Sequence, residues 1–66
     1  MLVDKSKLEL AMARICINKV KLAEKAGIPY QSVKRSTMRE GTNPETVGKI
    51  AKALGVDPAE IIKEED

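Results

Sequence analysis

The 66-residue sequence predicts an all-α domain made of five short helices. Apolar residues recur at intervals of three and four, the spacing that places side chains on one face of a helix. No stretch alternates apolar and polar residues with the β-branched and aromatic enrichment of a strand. Glycines and Asx-Pro pairs divide the chain into segments of helix length. A chain this short corresponds to one domain, residues 1–66.

Helices 1 and 2 are predicted at about 5–15 and 19–26. Asp4 and Asn18 precede them and are typical N-cap residues, whose side-chain oxygens accept hydrogen bonds from the first turn. Gly27 is expected to end helix 2, because glycine adopts the left-handed conformation of a helix C-terminus without strain. The predicted buried residues are Leu8, Ala11, Met12 and Ile15 in helix 1 and Val20, Leu22, Ala23 and Ala26 in helix 2.

Helix 3 is predicted to start after Ile28-Pro29 and to run to about Ser36. Pro29 lies where the chain enters the helix, and its fixed φ suits a first-turn position. Helix 4 is predicted at 44–54, with Asn43 as its N-cap and Pro44 in its first turn. Its expected buried stripe is Val47, Ile50, Ala51 and Leu54.

Helix 5 is predicted to begin at Asp57-Pro58, where Glu60 completes a capping box. Ile61 and Ile62 are its large apolar residues. They suit either a homodimer surface or the core, and the sequence leaves both readings open.

The chain has one cysteine and no histidine, which excludes a disulfide framework and a Cys/His zinc site. Cys16 lies between two isoleucines and is interpreted as a small buried hydrophobe. No catalytic constellation and no phosphate-cradling glycine loop is present. We therefore expect no enzyme activity, no metal, no cofactor and no small-molecule ligand.

Charge is distributed unevenly along the chain. Residues 14–39 contain seven basic residues and one acid, a net charge of +6, whereas residues 40–66 carry a net charge of −4. A basic centre favours a polyanionic partner, although a solvated charged surface would have the same composition. No apolar run reaches the ~20 residues of a membrane span and no signal peptide is recognisable, so a cytoplasmic protein is expected.

The spacing of small and apolar residues in 18–35 predicts a helix-turn-helix, at about 19–36. Ala23 allows two helices to cross closely, Gly27 permits the tight turn, and Val33 anchors the second helix. Three segments carry a resemblance to the Cro- and phage-repressor-type (xenobiotic-response-element-like) helix-turn-helix family over residues 8–62. They are NKVKLAEKAG (18–27), PYQSVKR (29–35) and PETVGKIAKALGV (44–56). The resemblance implies a lambda-repressor-like DNA-binding domain.

The resemblance also implies which residues meet DNA. The positions that contact bases hold Tyr30, Gln31, Lys34 and Arg35. The positions that contact phosphates hold Asn18 and Lys19 at the start of helix 2 and Arg39, Thr42 and Asn43 in and after the loop. Glutamine pairs with adenine and arginine with guanine in the major groove, while exposed N–H groups at a helix start favour an anion.

The sequence departs from the family at the end of helix 3 and in the loop. Ser36 and Thr37 replace a frequent apolar residue and acid, and Met12 replaces an arginine that pairs with that acid in several phage repressors. We therefore expect Met12 to fill the space of a buried ion pair. Arg39 replaces a frequent glycine in the loop.

The resulting hypothesis is a sequence-specific transcriptional regulator, a repressor, that binds double-stranded DNA with helix 3 in the major groove. A single domain offers few base contacts, so a homodimer on a palindromic operator is expected. The alternative is a protein-interaction module on the same fold, such as an antitoxin or a phage or mobile-element accessory factor, that uses the acidic end and helix 5.

Overall fold

The computed structural model describes residues 2–38 and 41–63. It contains four α-helices followed by one short 3₁₀ helix, and the described residues form no regular strand. The helices are α1 (Lys5–Arg14), α2 (Lys19–Ala26), α3 (Tyr30–Ser36) and α4 (Pro44–Leu54), and the 3₁₀ helix is Pro58–Glu60. The predicted all-α class and the first four helices are confirmed.

Three helices begin at the predicted caps. The side chains of Asp4, Asn18 and Asn43 each accept a hydrogen bond from the backbone N–H three residues later, at 2.9, 2.8 and 2.8 Å. Such a cap contributes about 1 kcal/mol. Pro29 is the exception, since it occupies the N-cap position of α3, one residue before the first helical turn, and provides no side-chain cap.

The predicted fifth helix is wrong beyond its first turn. The capping box forms, because the backbone N–H of Asp57 donates to Glu60 Oε2 at 2.9 Å. The helix nevertheless ends after three residues, and Ile62 pairs with Val3 in an isolated antiparallel β-bridge. Two adjacent isoleucines supply no helical stripe, so pairing with the N-terminus satisfies the backbone there and buries Ile61.

An N-terminal strap, which we define as residues 2–4, closes the fold. The backbone N–H of Asp4 donates to the carbonyl of Ile61 at 2.8 Å, and that of Lys63 donates to the carbonyl of Leu2 at 2.8 Å. Val3 is buried, and its N–H donates to the carbonyl of Ser36 at 2.9 Å. The strap therefore links the C-terminus of α3 to the end of the described chain, a connection that no local sequence signal predicted.

The buried core draws on all four α-helices and on both terminal segments. It comprises Val3, Leu8, Ala11, Met12, Leu22, Ala23, Val33, Val47, Ile50, Ala51, Leu54 and Ile61. The whole predicted stripe of α4 is present. Met12 is buried as expected, with 7% of its surface exposed. The sequence left open whether Ile61 and Ile62 belong to the core or to a homodimer surface. Ile61 belongs to the core, whereas Ile62 is only partly buried.

Three residues predicted to be buried are exposed instead. Ile15 follows the last residue of α1, so it leaves the helical period and is 38% exposed. Cys16 adopts a left-handed φ of 56° as the chain turns toward α2, which leaves its side chain exposed rather than in the core. Val20 is 56% exposed because it lies two residues, about 200° around the helix, from the buried Leu22.

Candidate nucleic-acid interface

The connection between α2 and α3 has the geometry of a tight helix-turn-helix. Gly27 adopts φ 69° and its N–H donates to the carbonyl of Glu24 at 3.2 Å, while the N–H of Ile28 donates to that of Ala23 at 3.1 Å. This is the Schellman arrangement that ends a helix with a left-handed residue. Ala23 is buried, in keeping with the close approach that its small side chain permits.

The structure brings the four predicted base-contacting residues to the exposed side of α3. Tyr30, Gln31, Lys34 and Arg35 are all exposed, whereas Val33 on the other side of the helix is fully buried. The side chains one turn apart form two rows, Tyr30 with Lys34 and Gln31 with Arg35. We call this surface the reading face.

Within the reading face, the Lys34 ammonium lies over the Tyr30 ring, 5.8 Å from its centroid. Such a cation–π contact contributes about 0.5–1 kcal/mol at an exposed site, enough to bias both side chains without fixing them. Tyr30 remains 43% exposed. Its ring can therefore still pack against a base methyl group, and its hydroxyl can still bond to a phosphate.

Sequence reasoning missed Met38, which borders the reading face. Gln31, Lys34, Arg35 and Met38 line one shallow concavity of about 120 Å³, and Met38 is 53% exposed. Met38 lies seven residues after Gln31 and four after Lys34, so the helical spacing could have revealed it. The concavity gives the reading face an apolar edge beside its polar groups.

Ser36 is a buried polar residue at the C-terminus of α3. Its side chain is fully buried, and its hydroxyl donates to the carbonyl of Val33 at 2.6 Å. The Ser36 carbonyl accepts the N–H of Val3 from the strap. A serine where the family often has an apolar residue is thus satisfied locally, and the exposed side of α3 is left for an external partner.

The predicted phosphate-contacting residues lie at two helix starts. Asn18 and Asn43 cap α2 and α4 through their side-chain oxygens, which leaves their amide N–H groups to donate. Lys19 is the first residue of α2 and is partly buried, as is Thr42 just before the second cap. Arg39 lies outside the described residues.

The acidic side chains of the described residues do not neutralise the positive charges of the reading face. Glu24, the single acid of residues 14–39, pairs with Lys21 at 3.8 Å, and Arg14 lies 4.0 Å from Glu60. Both pairs are well exposed, so each adds at most about 1 kcal/mol. Among the described residues, no acid lies within ion-pair distance of Lys34 or Arg35. Their charges are available to an anionic ligand.

A family model described as the Cro/C1-type HTH DNA-binding domain matches residues 7–66, which is most of the chain. The chain belongs to this family. No curated protein and no solved structure matches it significantly. The Cro/C1-type match agrees with the resemblance predicted from the sequence and makes DNA the partner of this domain. The family is one of DNA-binding domains rather than of enzymes.

The described part of this Cro/C1-type domain offers neither a metal-binding cluster nor a membrane-spanning helix. Over residues 2–38 and 41–63, no three His, Cys, Asp or Glu side chains are grouped so as to hold a metal ion. In the same ranges, none of the helices has the length and apolar character needed to cross a membrane.

Proposed function

We propose that this Cro/C1-type domain is a sequence-specific transcriptional repressor that reads the major groove with α3. The observation that carries the proposal is the reading face, with its four exposed side chains opposite the buried Val33. Gln31 can pair bidentately with adenine and Arg35 with guanine, and each such contact discriminates by about 1–3 kcal/mol. Repression would follow from occupation of an operator that overlaps a promoter.

Phosphate contacts would supply most of the affinity and would fix the orientation of α3. The start of α2 is suited to this role because Asn18 and Lys19 lie beside the N–H groups of its first turn. Thr42 and Asn43 offer the corresponding groups before α4, and Arg39 is proposed on its sequence position alone.

A homodimer on a palindromic operator would double the few base contacts that one domain can make. Its half-sites would lie about one helical turn, roughly 34–36 Å, apart. Ile62 is the remaining apolar candidate for the dimer surface, because Ile61 is fully buried in the core of its own domain.

In-vitro selection of bound duplexes tests this proposal most directly, because it reports DNA binding, palindromy and base preference together. Arg35→Ala should then weaken binding to the selected sequence by about 1–3 kcal/mol and relax preference at one base. Equal losses on selected and random DNA would argue against a base-reading role for Arg35.

Lys19→Ala provides the matched test of a phosphate contact. It should weaken binding to every sequence and reduce the slope of log K against log salt by about 1. Anisotropy titrations at several salt concentrations measure that slope. A slope equal to that of the wild type would remove Lys19 from the phosphate-contacting set.

The second candidate function is protein interaction, as in an antitoxin or a phage or mobile-element accessory factor. It is favoured by large apolar side chains exposed on α1 and α2, Leu10 at 68% and Val20 at 56%. The predicted surface on helix 5 has less support, since that element is a three-residue turn. Capture of a protein partner that survives Gln31→Ala and Arg35→Ala would support this function.

A further inference from the structure

A second basic surface lies between α2 and α4. An open groove of about 530 Å³ is lined by Lys25, Ala26, Lys49, Lys52 and Ala53. The two alanines are small and partly buried, so the groove walls leave room for a ligand between the lysines. No residue of this groove belongs to the reading face or to the predicted phosphate-contacting set.

The groove keeps a positive charge. Lys49 pairs with Glu45 at 3.3 Å, but among the described residues no acid lies within ion-pair distance of Lys25 or Lys52. Both of these lysines lie in the last turn of their helices, where the macrodipole stabilises a cation. That stabilisation offsets part of the repulsion between the two like charges that line the groove.

The position of the groove on α2 indicates the partner. Lys19 and Lys25 lie at opposite ends of this helix, six residues and about 9 Å apart along its axis. The major groove is about 12 Å wide and is bounded by two phosphate strands. A helix that lies across it with its N-terminus at one strand therefore directs its C-terminus toward the other.

We propose that the groove of Lys25, Lys49 and Lys52 binds the phosphate backbone of the duplex that α3 reads, without regard to sequence. This inference rests on the proposed DNA-reading function and extends its footprint beyond the helix-turn-helix contacts. Lysine suits such a role, because it neutralises phosphate as a mobile point charge and does not need the fixed bidentate geometry of arginine.

The test is a double variant, Lys25→Gln with Lys52→Gln, titrated against selected and random duplexes at several salt concentrations. The slope of log K against log salt should become less steep by about 1.8, because each phosphate contact contributes about 0.9. The loss of affinity should be equal on both duplexes. The matched control, Lys5→Gln with Lys63→Gln, removes the same charge from exposed positions outside the groove and should change the slope by less than half as much.

A further variant should change the salt dependence of DNA binding in the opposite direction. Glu45→Gln releases Lys49 from its ion pair and should steepen the salt slope by as much as 0.9. Circular dichroism verifies that all the variants remain folded, as expected for exposed substitutions.

Two results would contradict the proposed phosphate binding by the groove without contradicting the proposed role of the reading face. One is wild-type DNA binding with a normal slope in the groove variant, and the other is an equal change in the control. Binding of the wild type to an acidic polypeptide such as polyglutamate, lost in the groove variant while DNA binding is retained, would assign the groove to a protein partner instead. Failure of the wild type to bind any DNA would overturn both proposals.

Discussion

The segments after Asn43 and after Asp57 begin alike and end differently. Each has an Asx N-cap followed by proline, and in each the cap accepts a backbone hydrogen bond. The first continues as α4 for eleven residues, whereas the second stops after three. The cap therefore decides where a helix starts, and the apolar stripe behind it decides whether the helix continues.

The stripe of α4 buries four residues at intervals of three, one and three, which is one continuous helical face. The segment after Asp57 has only the adjacent pair Ile61 and Ile62, and no apolar residue follows three or four positions later to continue a stripe. Pairing with the strap buries Ile61 fully and leaves Ile62 partly buried. The turn at Ile61 and the β-bridge at Ile62 thus place the pair better than a second helical turn would.

Among variants of these two segments, Ile61→Ala should cause one of the largest losses of folding stability. Truncating a fully buried isoleucine costs about 2–5 kcal/mol, a large fraction of the stability of so small a domain. Ile50→Ala in α4 should cost a similar amount, and the partly buried Ile62→Ala clearly less. Urea denaturation measures the free energy of unfolding of all three variants. An Ile61 variant as stable as the wild type would mean that the closing segment, residues 61–63, lies outside the cooperative core.

Two glycines, one inside α4 and one just after it, should respond in opposite directions when replaced by alanine. Gly55→Ala places a Cβ at φ 71° and should destabilise the fold by about 1–2 kcal/mol, although no atom beyond the neighbouring residues lies within 4 Å of that Cβ. Gly48 lies inside α4 with equally open space, so Gly48→Ala should stabilise by about 0.5–1 kcal/mol. Thermal denaturation of both variants tests whether the end of α4 depends on backbone conformation alone.

The smallest expected effect is the difference in stability cost between removing the N-cap Asn43 and removing the N-cap Asp57. Asn43→Ala should cost about 1 kcal/mol, because a full helix depends on it. Asp57→Ala removes a similar hydrogen bond but starts only a short turn, and the strap still holds the chain that follows, so we expect about half that cost. Equal or reversed costs in chemical denaturation would contradict the view that the strap, rather than the cap, orders the closing segment.

One part of the candidate DNA-binding surface was predictable from local sequence, and another part depends on how the helices pack. The helical spacing in α3 was enough to group Tyr30, Gln31, Lys34 and Arg35, since residues one turn apart share a face. Their assignment to bases came from the family resemblance and stays a prediction. The groove between α2 and α4 was not predictable, because Lys25 and Lys52 are distant in sequence and meet only when those helices pack.

Local sequence was enough to predict the four α-helices, three of their caps and the left-handed glycine at 27, because these depend on interactions within a few residues. It also predicted the helix-turn-helix and the family. Tertiary structure alone decided the exposure of Cys16, the burial of Ser36, and the pairing of the strap with the closing segment. Those outcomes depend on backbone partners more than thirty residues apart or on the direction in which the chain turns, and neither follows from local spacing.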